Sequence, residues 1–200
     1  VNGLVFYAPL WNSQLSGSPF NAWNIADGGV HVCTVTGATQ GIQGRTLNGI
    51  GDGILIDSLL VSNSANFTIE MWVKWNTGTD TQYLYSENLN GGTTFLLRKD
   101  ETTQKLLFGI YNTATWYNAQ SSGAVLVSGT WQHIVARLSS TSGMSLLADL
   151  ASVATNANTL PGNQANVKSS IGATWSSAGG LAESFNGVMG EIRLYNAWRK

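Results

Sequence analysis

Aromatic side chains set among amides and hydroxyls are the first residues of this sequence whose types suit binding chemistry. Trp11, Trp23, Trp116, Tyr117 and Trp175 lie in segments rich in Asn, Ser, Thr and Gly, and residues 115–118 are the densest group. An exposed indole can stack on a sugar ring while nearby amides and hydroxyls bind the sugar hydroxyls. The alternative is that each ring closes an end of the fold or fills space under a loop. The predicted ligand-binding residues are Trp23, Trp116, Tyr117, Asn118 and Trp175.

The carboxylates do not form a pattern typical of glycoside hydrolysis. That reaction needs two carboxyl groups about 5–9.5 Å apart, one of them with a raised pKa. Glu70, Glu87 and Glu191 each lack an acidic neighbour two positions along the chain, where a strand would turn both side chains to one face. We therefore interpret Glu70 as a structural carboxylate and predict neither catalytic residues nor enzyme activity.

The histidines and glycines also lack catalytic or metal-binding spacing. His31 and His133 are far apart in the chain and belong to no His-x-His or His-Glu-x-x-His motif of the kind that binds zinc. His133 is interpreted as a packed residue of the core or of a sheet edge. No Gly-x-Ser-x-Gly or phosphate-binding glycine loop is present.

Composition excludes several classes of protein. The chain has 200 residues, a formal net charge of -1 and 10% charged residues, against about 25% in an average globular protein. We expect no nucleic-acid partner, because no basic surface is encoded. We expect no membrane insertion, because no apolar run approaches the roughly 20 residues of a spanning helix. Its single cysteine, Cys33, excludes a disulfide framework within the chain and a cysteine-based zinc cluster.

The elements that must position these residues are predicted to be β-strands. In Phe67–Trp75 the odd-numbered residues are apolar and share one face, whereas Thr68, Glu70, Trp72 and Lys74 share the other. Further strands are predicted over residues 131–138, 143–149 and 190–195. Weaker strand candidates are residues 3–8, 30–37, 53–57, 81–87, 93–98, 105–111 and 168–173.

Turn residues separate these strands, and helical periodicity is nearly absent. The small, polar stretch 151–164 is interpreted as a surface excursion and not as a domain linker. The sequence therefore predicts one all-β domain over residues 1–200, with the strands arranged as a sandwich or barrel.

Seven segments, in this order, resemble a laminin-G-like domain of the concanavalin A-like lectin/glucanase superfamily. They are residues 3–7 (GLVFY), 44–49 (GRTLNG) with Asp52, 67–73 (FTIEMWV), 129–135 (GTWQHIV), 145–149 (SLLAD), 171–173 (IGA) and 185–195 (FNGVMGEIRLY). Two features depart from the family pattern: residues 149–151 read Asp-Leu-Ala in place of a tight Asp-Gly turn, and Lys200 precedes the usual closing segment. The resemblance implies a jelly-roll β-sandwich of two curved antiparallel sheets, whose concave face and edge loops bind ligands.

The same resemblance implies one calcium ion held at a loop rim by carboxylate, amide and carbonyl oxygens. The alternative is that the aspartates are ordinary solvated carboxylates of turns. The candidate metal ligands are Asp27, Asp52, Asp57 and Asp80.

Three functional hypotheses follow from the sequence and the resemblance. The first is a non-catalytic extracellular recognition module that binds a carbohydrate or another surface ligand through aromatic residues of its edge loops. The second is a structural or decoration protein of a virion, tail or surface assembly, whose partners would be virion or cell-surface proteins or further copies of the chain. Its low charge favours such self-assembly. The third, a glycoside hydrolase, is the least favoured, and all three act outside the cell, on its surface or on a virion.

Overall fold

The computed structural model describes residues 3–23, 30–56, 58, 60–61, 63–89, 92–112, 114–162, 168–176 and 179–199. Strands dominate this part of the chain, and a single 3-10 turn, Ser13–Leu15, is its only helical segment. None of these residues belongs to a helix with the length and apolar character needed to cross a bilayer. The architecture confirms the predicted all-β, jelly-roll fold class.

The strands have the following bounds: β1 (Leu4–Pro9), β2 (Phe20–Trp23), β3 (Val30–Thr36), β4 (Thr39–Gly41), β5 (Gly44–Asn48), β6 (Gly53–Ile56), β7 (Phe67–Trp75), β8 (Gln82–Leu89), β9 (Gly92–Lys99), β10 (Lys105–Asn112), β11 (Thr115–Ala124), β12 (Trp131–Ser139), β13 (Gly143–Ala148), β14 (Ala151–Asn156), β15 (Lys168–Ile171), β16 (Thr174–Trp175), β17 (Leu181–Ala182) and β18 (Asn186–Tyr195).

Fourteen of these strands form one hydrogen-bonded path in the order β11-β10-β9-β8-β15-β6-β3-β2-β1-β18-β7-β12-β13-β14. Two more, β5 paired to β18 and β4 paired to β5, complete a group of sixteen strands. Strands β16 and β17 form a separate small sheet. The path is layered as two large antiparallel sheets. Phe67 of β7 packs edge-on against Phe95 of β9 and Phe108 of β10, with ring centroids 5.4 and 6.0 Å apart. The core therefore lies between β7 on one side and β9 and β10 on the other.

Strand β7 confirms both its predicted bounds and its two predicted faces. The odd-numbered residues from 67 to 73 are buried, and Trp75 packs against them. On the opposite face Trp72 is 44% exposed, and Glu70 and Lys74 are half-buried. Thr68 shares that face but is fully buried, because its hydroxyl donates to the carbonyl of Ala197 at 2.9 Å in the C-terminal segment that covers it.

Two segments at the ends of the sheet path differ from the expectation. Residues 115–118, expected in a loop, begin strand β11, and residues 151–156 of the expected surface excursion form strand β14. These two strands are the ends of the sheet path. Strand β14 has no buried residue, and β11 buries only alternate residues near its centre. Such polar edge strands lack the apolar alternation by which a strand is predicted from sequence.

Candidate functional site

Three neighbouring strands place a row of side chains on the face of one sheet that points away from the core. Strands β7 and β12 pair so that Trp72 lies opposite His133, and β7 and β18 pair so that Glu70 lies opposite Arg193. Directly opposed residues of antiparallel strands are about 5 Å apart, so their side chains interact. The register of this sheet therefore brings together residues that are distant in the chain.

An open aromatic cleft of about 320 Å³ lies on this face. Trp11 is 48% exposed and Trp72 is 44% exposed, and Trp131 is half-buried. Within the described chain, no residue accepts a hydrogen bond from these three indole N–H groups, whereas Trp75, outside the cleft, donates to Gln82 Oε1 at 3.0 Å. The cleft therefore combines apolar ring faces with available donors. It is lined by Trp11, Ile42, Gln43, Trp72, Trp131, Gly190 and Glu191.

A β-bulge forms the floor of the aromatic cleft. The pairing of β18 with β7 shifts register between Met189 and Ile192, and the two residues between them, Gly190 and Glu191, both line the cleft. The carbonyl of Gly190 accepts a hydrogen bond from the backbone N–H of Leu10 at 2.7 Å. This bond ties the segment next to Trp11 to the floor.

The turn between β4 and β5 forms one wall of the cleft. Ile42 is 95% exposed at this turn, and Gln43 Oε1 accepts a hydrogen bond from Lys74 Nζ at 3.2 Å. The same ammonium lies 5.6 Å from the centroid of the Trp131 ring, within the range of a cation–π contact. The lysine thus joins the wall to the indole of Trp131.

A smaller polar pocket of about 30 Å³ adjoins the cleft. Trp72 and Glu191 line both spaces, so a ligand held against Trp72 would have one edge at the pocket. The polar pocket is lined by Glu70, Met71, Trp72, His133, Glu191 and Arg193.

One carboxylate of the polar pocket is strongly bound by its neighbours. Glu191 accepts from Arg193 at 2.5 Å and from the Tyr7 hydroxyl at 3.4 Å, and the guanidinium lies 5.5 Å from the centroid of the Tyr7 ring. Partial burial and the charge of Glu191 raise the pKa of Tyr7. Burial lowers the pKa of Arg193, but Glu191, Tyr195 and Tyr7 together more than offset this and raise it overall. The Glu191 carboxylate is therefore engaged by two neighbouring side chains.

The other two polar side chains of the pocket are uncommitted. The imidazole of His133 stacks on Trp72, with ring centroids 5.0 Å apart and planes 28° apart. Among the described residues, none forms a hydrogen bond or ion pair with the Glu70 carboxylate or with a ring nitrogen of His133. Glu70 is therefore an available acceptor beside an aromatic surface.

The residues predicted on β11 lie elsewhere. Trp116 is 39% exposed and contacts Tyr111, with ring centroids 5.4 Å apart. Tyr117 instead packs against the core, because neighbouring residues of a strand point to opposite faces. Asn118 is exposed, and its carbonyl accepts from Asn156 Nδ2 at 3.0 Å. None of these residues lines the aromatic cleft or the polar pocket.

The other two predicted ligand-binding tryptophans are not brought to β11. Trp175 lies on β16, and the ammonium of Lys168 lies 4.5 Å from the centroid of its ring. The backbone of Trp23 pairs with Tyr7, and its side chain lies outside the described part of the chain. The prediction that these aromatic residues lie in edge loops is therefore wrong for Trp116 and Trp175, which lie on strands.

Two of the four candidate calcium ligands, Asp52 and Asp80, lie among the described residues. Asp27 and Asp57 lie outside the described residues. Asp52 is 6% exposed and accepts a hydrogen bond from the backbone N–H of Asn48 at 2.9 Å, which is typical of a structural turn carboxylate. The carbonyl of Asp80 accepts from Lys99 Nζ at 2.9 Å, which places a cation beside it. The described chain contains no group of three or more His, Cys, Asp or Glu residues that could hold a metal, and calcium binding stays a prediction.

Sequence reasoning missed most of the cleft. It placed Trp72 on the correct face of β7 but did not identify it as a ligand-binding residue. It also treated Glu70 and His133 as structural residues. A signal was present, because an indole on the polar face of a strongly alternating strand is either exposed or covered by another part of the protein. Trp131 and Gly190 carried no comparable signal.

A sequence model of laminin-G-type domains, described as the concanavalin A-like lectin/glucanases superfamily, matches residues 48–199. The chain belongs to this superfamily. The matched residues of this superfamily member include five that line the cleft or the pocket: Glu70, Trp72, Trp131, His133 and Glu191. The cleft residues Trp11, Ile42 and Gln43 precede the matched part. No curated protein matches the chain by sequence.

Solved structures of low sequence identity share the fold of this lectin/glucanase-like chain. Trypanosoma rangeli sialidase matches with a TM-score of 0.66 and 18% identity over 99% of this chain and 31% of the sialidase chain. Domain 4 of AbnA, a GH43 extracellular arabinanase from Geobacillus stearothermophilus in complex with arabinotriose, matches with a TM-score of 0.66 and 18% identity over 96% and 92% of the two chains. The Ruminococcus gnavus IT-sialidase CBM40 bound to α2,3 sialyllactose matches with a TM-score of 0.60 and 15% identity over 72% and 80%. The chain thus spans about a third of the length of the sialidase.

Proposed function

We propose that this chain is a non-catalytic carbohydrate-binding domain that acts outside the cell, at a cell surface or on a virion. The observation that carries the proposal is the aromatic cleft, in which Trp11, Trp72 and Trp131 line one open space beside the polar pocket. Most small-ligand sites combine apolar and aromatic walls with a few convergent polar groups. This cleft has that composition.

A sugar ring fits the chemistry of the aromatic cleft. One face of a pyranose or furanose carries C–H groups that pack on an indole, and its hydroxyl groups need hydrogen-bond partners at the ring edge. The amide of Gln43, the carboxylate of Glu191 and the indole N–H groups supply such partners along the cleft. Burial of the ring against tryptophan provides affinity, and the polar groups orient the sugar.

The relatives support the same class of ligand without establishing it for this chain. The AbnA domain is solved with arabinotriose and the CBM40 domain with sialyllactose. At 15–18% identity these similarities show only that the fold is shared. A fold alone does not determine a function. The cleft residues of this chain are the independent support.

Binding without hydrolysis is the second part of the proposal. Glu191 is engaged by Arg193 at 2.5 Å and by Tyr7. Because its oxygens are engaged by the guanidinium and the phenol, this carboxylate is not free to protonate a leaving group. Glu70 is then the one carboxylate of the polar pocket without such a partner in the described chain, whereas the reaction needs two.

The experiment is a glycan array followed by calorimetric titration of the hits, with Trp72→Ala compared with Trp116→Ala. Both substitutions remove a partly exposed indole from a strand, but only Trp72 lines the cleft. Trp72→Ala should weaken binding at least about tenfold, or about 1.4 kcal/mol, because burial of such a side chain contributes roughly 1.5–3 kcal/mol. Trp116→Ala should bind like the unmodified chain.

The reverse result would move the site to β11 and overturn the assignment to the cleft. An array without any binding would overturn carbohydrate recognition and favour the structural hypothesis, which sedimentation at high protein concentration would then test. Shortened oligosaccharide products that appear with the unmodified chain but not with Glu70→Gln would overturn the non-catalytic part alone.

A further inference from the structure

We infer that the Glu70 carboxylate selects neutral sugars, because the polar pocket accepts a hydroxyl of a sugar ring stacked in the aromatic cleft and rejects the carboxylate of an acidic sugar. This inference rests on the proposed function and names the class of ligand. It concerns a residue that sequence reasoning treated as structural.

The geometry limits what can enter the polar pocket. Its volume of about 30 Å³ holds a group of about the size of one water molecule. Because Trp72 and Glu191 line both spaces, a ring packed on Trp72 directs one substituent into the pocket. A single hydroxyl fits this volume better than a carboxylate with two oxygens.

The charge of the polar pocket opposes an anion. Glu70 and Glu191 each contribute -1 and Arg193 contributes +1, so the charged groups that line the pocket sum to -1 with a neutral His133. Arg193 is bound to Glu191 at 2.5 Å, whereas Glu70 has no cationic partner within the described chain. An anionic substituent would therefore be repelled by the unpaired carboxylate of Glu70. It would also compete with the carboxylate of Glu191 for the guanidinium of Arg193.

Two further cations on this face are also engaged. Lys74 donates to Gln43 and lies over Trp131, on the side of the aromatic cleft. Arg137 of β12 lies 4.3 Å from the Trp198 ring centroid, and its Nη1 donates to the carbonyl of Arg199 at 2.6 Å. A bidentate arginine, which is the usual partner of a ligand carboxylate, is thus not available from these residues.

A neutral hydroxyl group, in contrast, can form favourable hydrogen bonds in the polar pocket. Its O–H donates to the Glu70 carboxylate, and a hydrogen bond to an ionised acceptor is about twice as strong as one between neutral groups. The hydroxyl oxygen can accept from the ring N–H of His133, which has no hydrogen-bond partner among the described residues. Like charges brought together at a desolvated site strongly disfavour the wrong ligand. Glu70 therefore acts as a specificity-determining residue.

The test compares glycans that share a core and differ by one acidic sugar. The pairs are lactose with sialyllactose and xylo-oligosaccharides with their glucuronic-acid-substituted forms, and both pairs are included in the glycan array. We expect the unmodified chain to bind the neutral member of a recognised pair at least about tenfold more tightly. In Glu70→Gln, which keeps the shape and removes the charge, this ratio should fall to about threefold or less. Glu101→Gln, in an exposed turn, should keep the original ratio.

The outcomes separate the inference from the proposed function. Equal or tighter binding of the acidic member, lost in Trp72→Ala, would overturn selection by Glu70 and leave carbohydrate binding in the cleft intact. An unchanged ratio in Glu70→Gln would overturn the role of Glu70. Absence of binding to every glycan of the array would overturn the proposed function and the inference with it. Equal thermal midpoints of the unmodified chain and the three variants exclude unfolding as the cause.

Discussion

The six-membered ring of Trp131 lies against the backbone of Gly190, where a Cβ atom would come within 3.3 Å of two ring carbons and of the Gln43 carbonyl oxygen. Contacts of 3.3 Å are tighter than ordinary van der Waals separation. The backbone of Gly190 is not in the left-handed region, so the glycine serves to make room and not to permit an unusual conformation. Its missing side chain leaves room for the indole to pack against the floor of the aromatic cleft.

Replacement of Gly190 by valine should abolish glycan binding while the domain stays folded. The branched side chain displaces the Trp131 ring and occupies space on the cleft floor, and overpacking typically costs about 1–3 kcal/mol. Calorimetric titration measures the affinity, and thermal unfolding measures the stability.

Gly123→Val is the matched control for this substitution. Gly123 also lies in a strand, is exposed, and has no atom within 4 Å of its added Cβ. That variant should keep both affinity and stability. Binding by Gly190→Val at the unmodified level would show that the ligand does not contact the floor beside Trp131.

Arg45 should be a large contributor to stability. It is 2% exposed, and its guanidinium donates to the carbonyls of Ala38 at 3.1 Å, Leu15 at 2.5 Å and Gly17 at 3.0 Å. Arg45→Met removes all three bonds and leaves buried carbonyls unpaired, so we expect a loss of about 3 kcal/mol in the free energy of unfolding. Urea denaturation of this variant and of Lys105→Met, a half-buried cation with an unpaired ammonium in the described chain, provides the comparison. A change below about 1 kcal/mol for Arg45→Met would contradict the assigned role.

The thiol of Cys33 should make stability fall at alkaline pH. Burial raises its pKa from 9.0 to about 12, so above pH 9 the unfolded chain loses a proton that the folded chain keeps. The stabilisation is complete below the unfolded pKa and is lost as the pH rises toward 12. Between pH 9 and pH 10 the free energy of unfolding should decrease by about 1 kcal/mol more in the unmodified chain than in Cys33→Ala.

This comparison isolates the thiol from another buried acid. Burial, together with Glu87, raises the pKa of Tyr85 as well, and that group contributes equally in both proteins. Parallel pH profiles for the two proteins would contradict the prediction. The same burial predicts that the native chain does not react with a thiol reagent at pH 8 and reacts once it is unfolded.

Asp52 should stabilise the fold independently of calcium. Its carboxylate accepts from the backbone N–H of Asn48, and the loss of such a local hydrogen bond in Asp52→Ala should cost about 1 kcal/mol. Thermal unfolding in calcium and in chelator should give the same difference between the unmodified chain and the variant. A difference present only with calcium would show that Asp52 binds the metal, while Asp52→Asn, which keeps an acceptor oxygen, separates the two roles.

The alternation of side chains along the sequence was sufficient to determine the faces of individual strands. In β7 it placed Phe67, Ile69, Met71 and Val73 in the core and Glu70 and Trp72 outside it, because successive residues of a strand point in opposite directions. This information is local and needs no knowledge of neighbouring strands. It failed on β11 and β14, whose polar edge sequences lack the alternation.

Only the tertiary structure decided which outward-facing residues form a site. Trp11, Trp72 and Trp131 belong to segments far apart in the chain, and strand order and register bring them to one cleft. The bulge in β18 is a departure from regular pairing that places Gly190 and Glu191 together on the cleft side. Glu70 is unpaired because Arg193, its cross-strand neighbour, binds Glu191. Such choices depend on non-local pairing and on competition between side chains, so no period within a single strand encodes them.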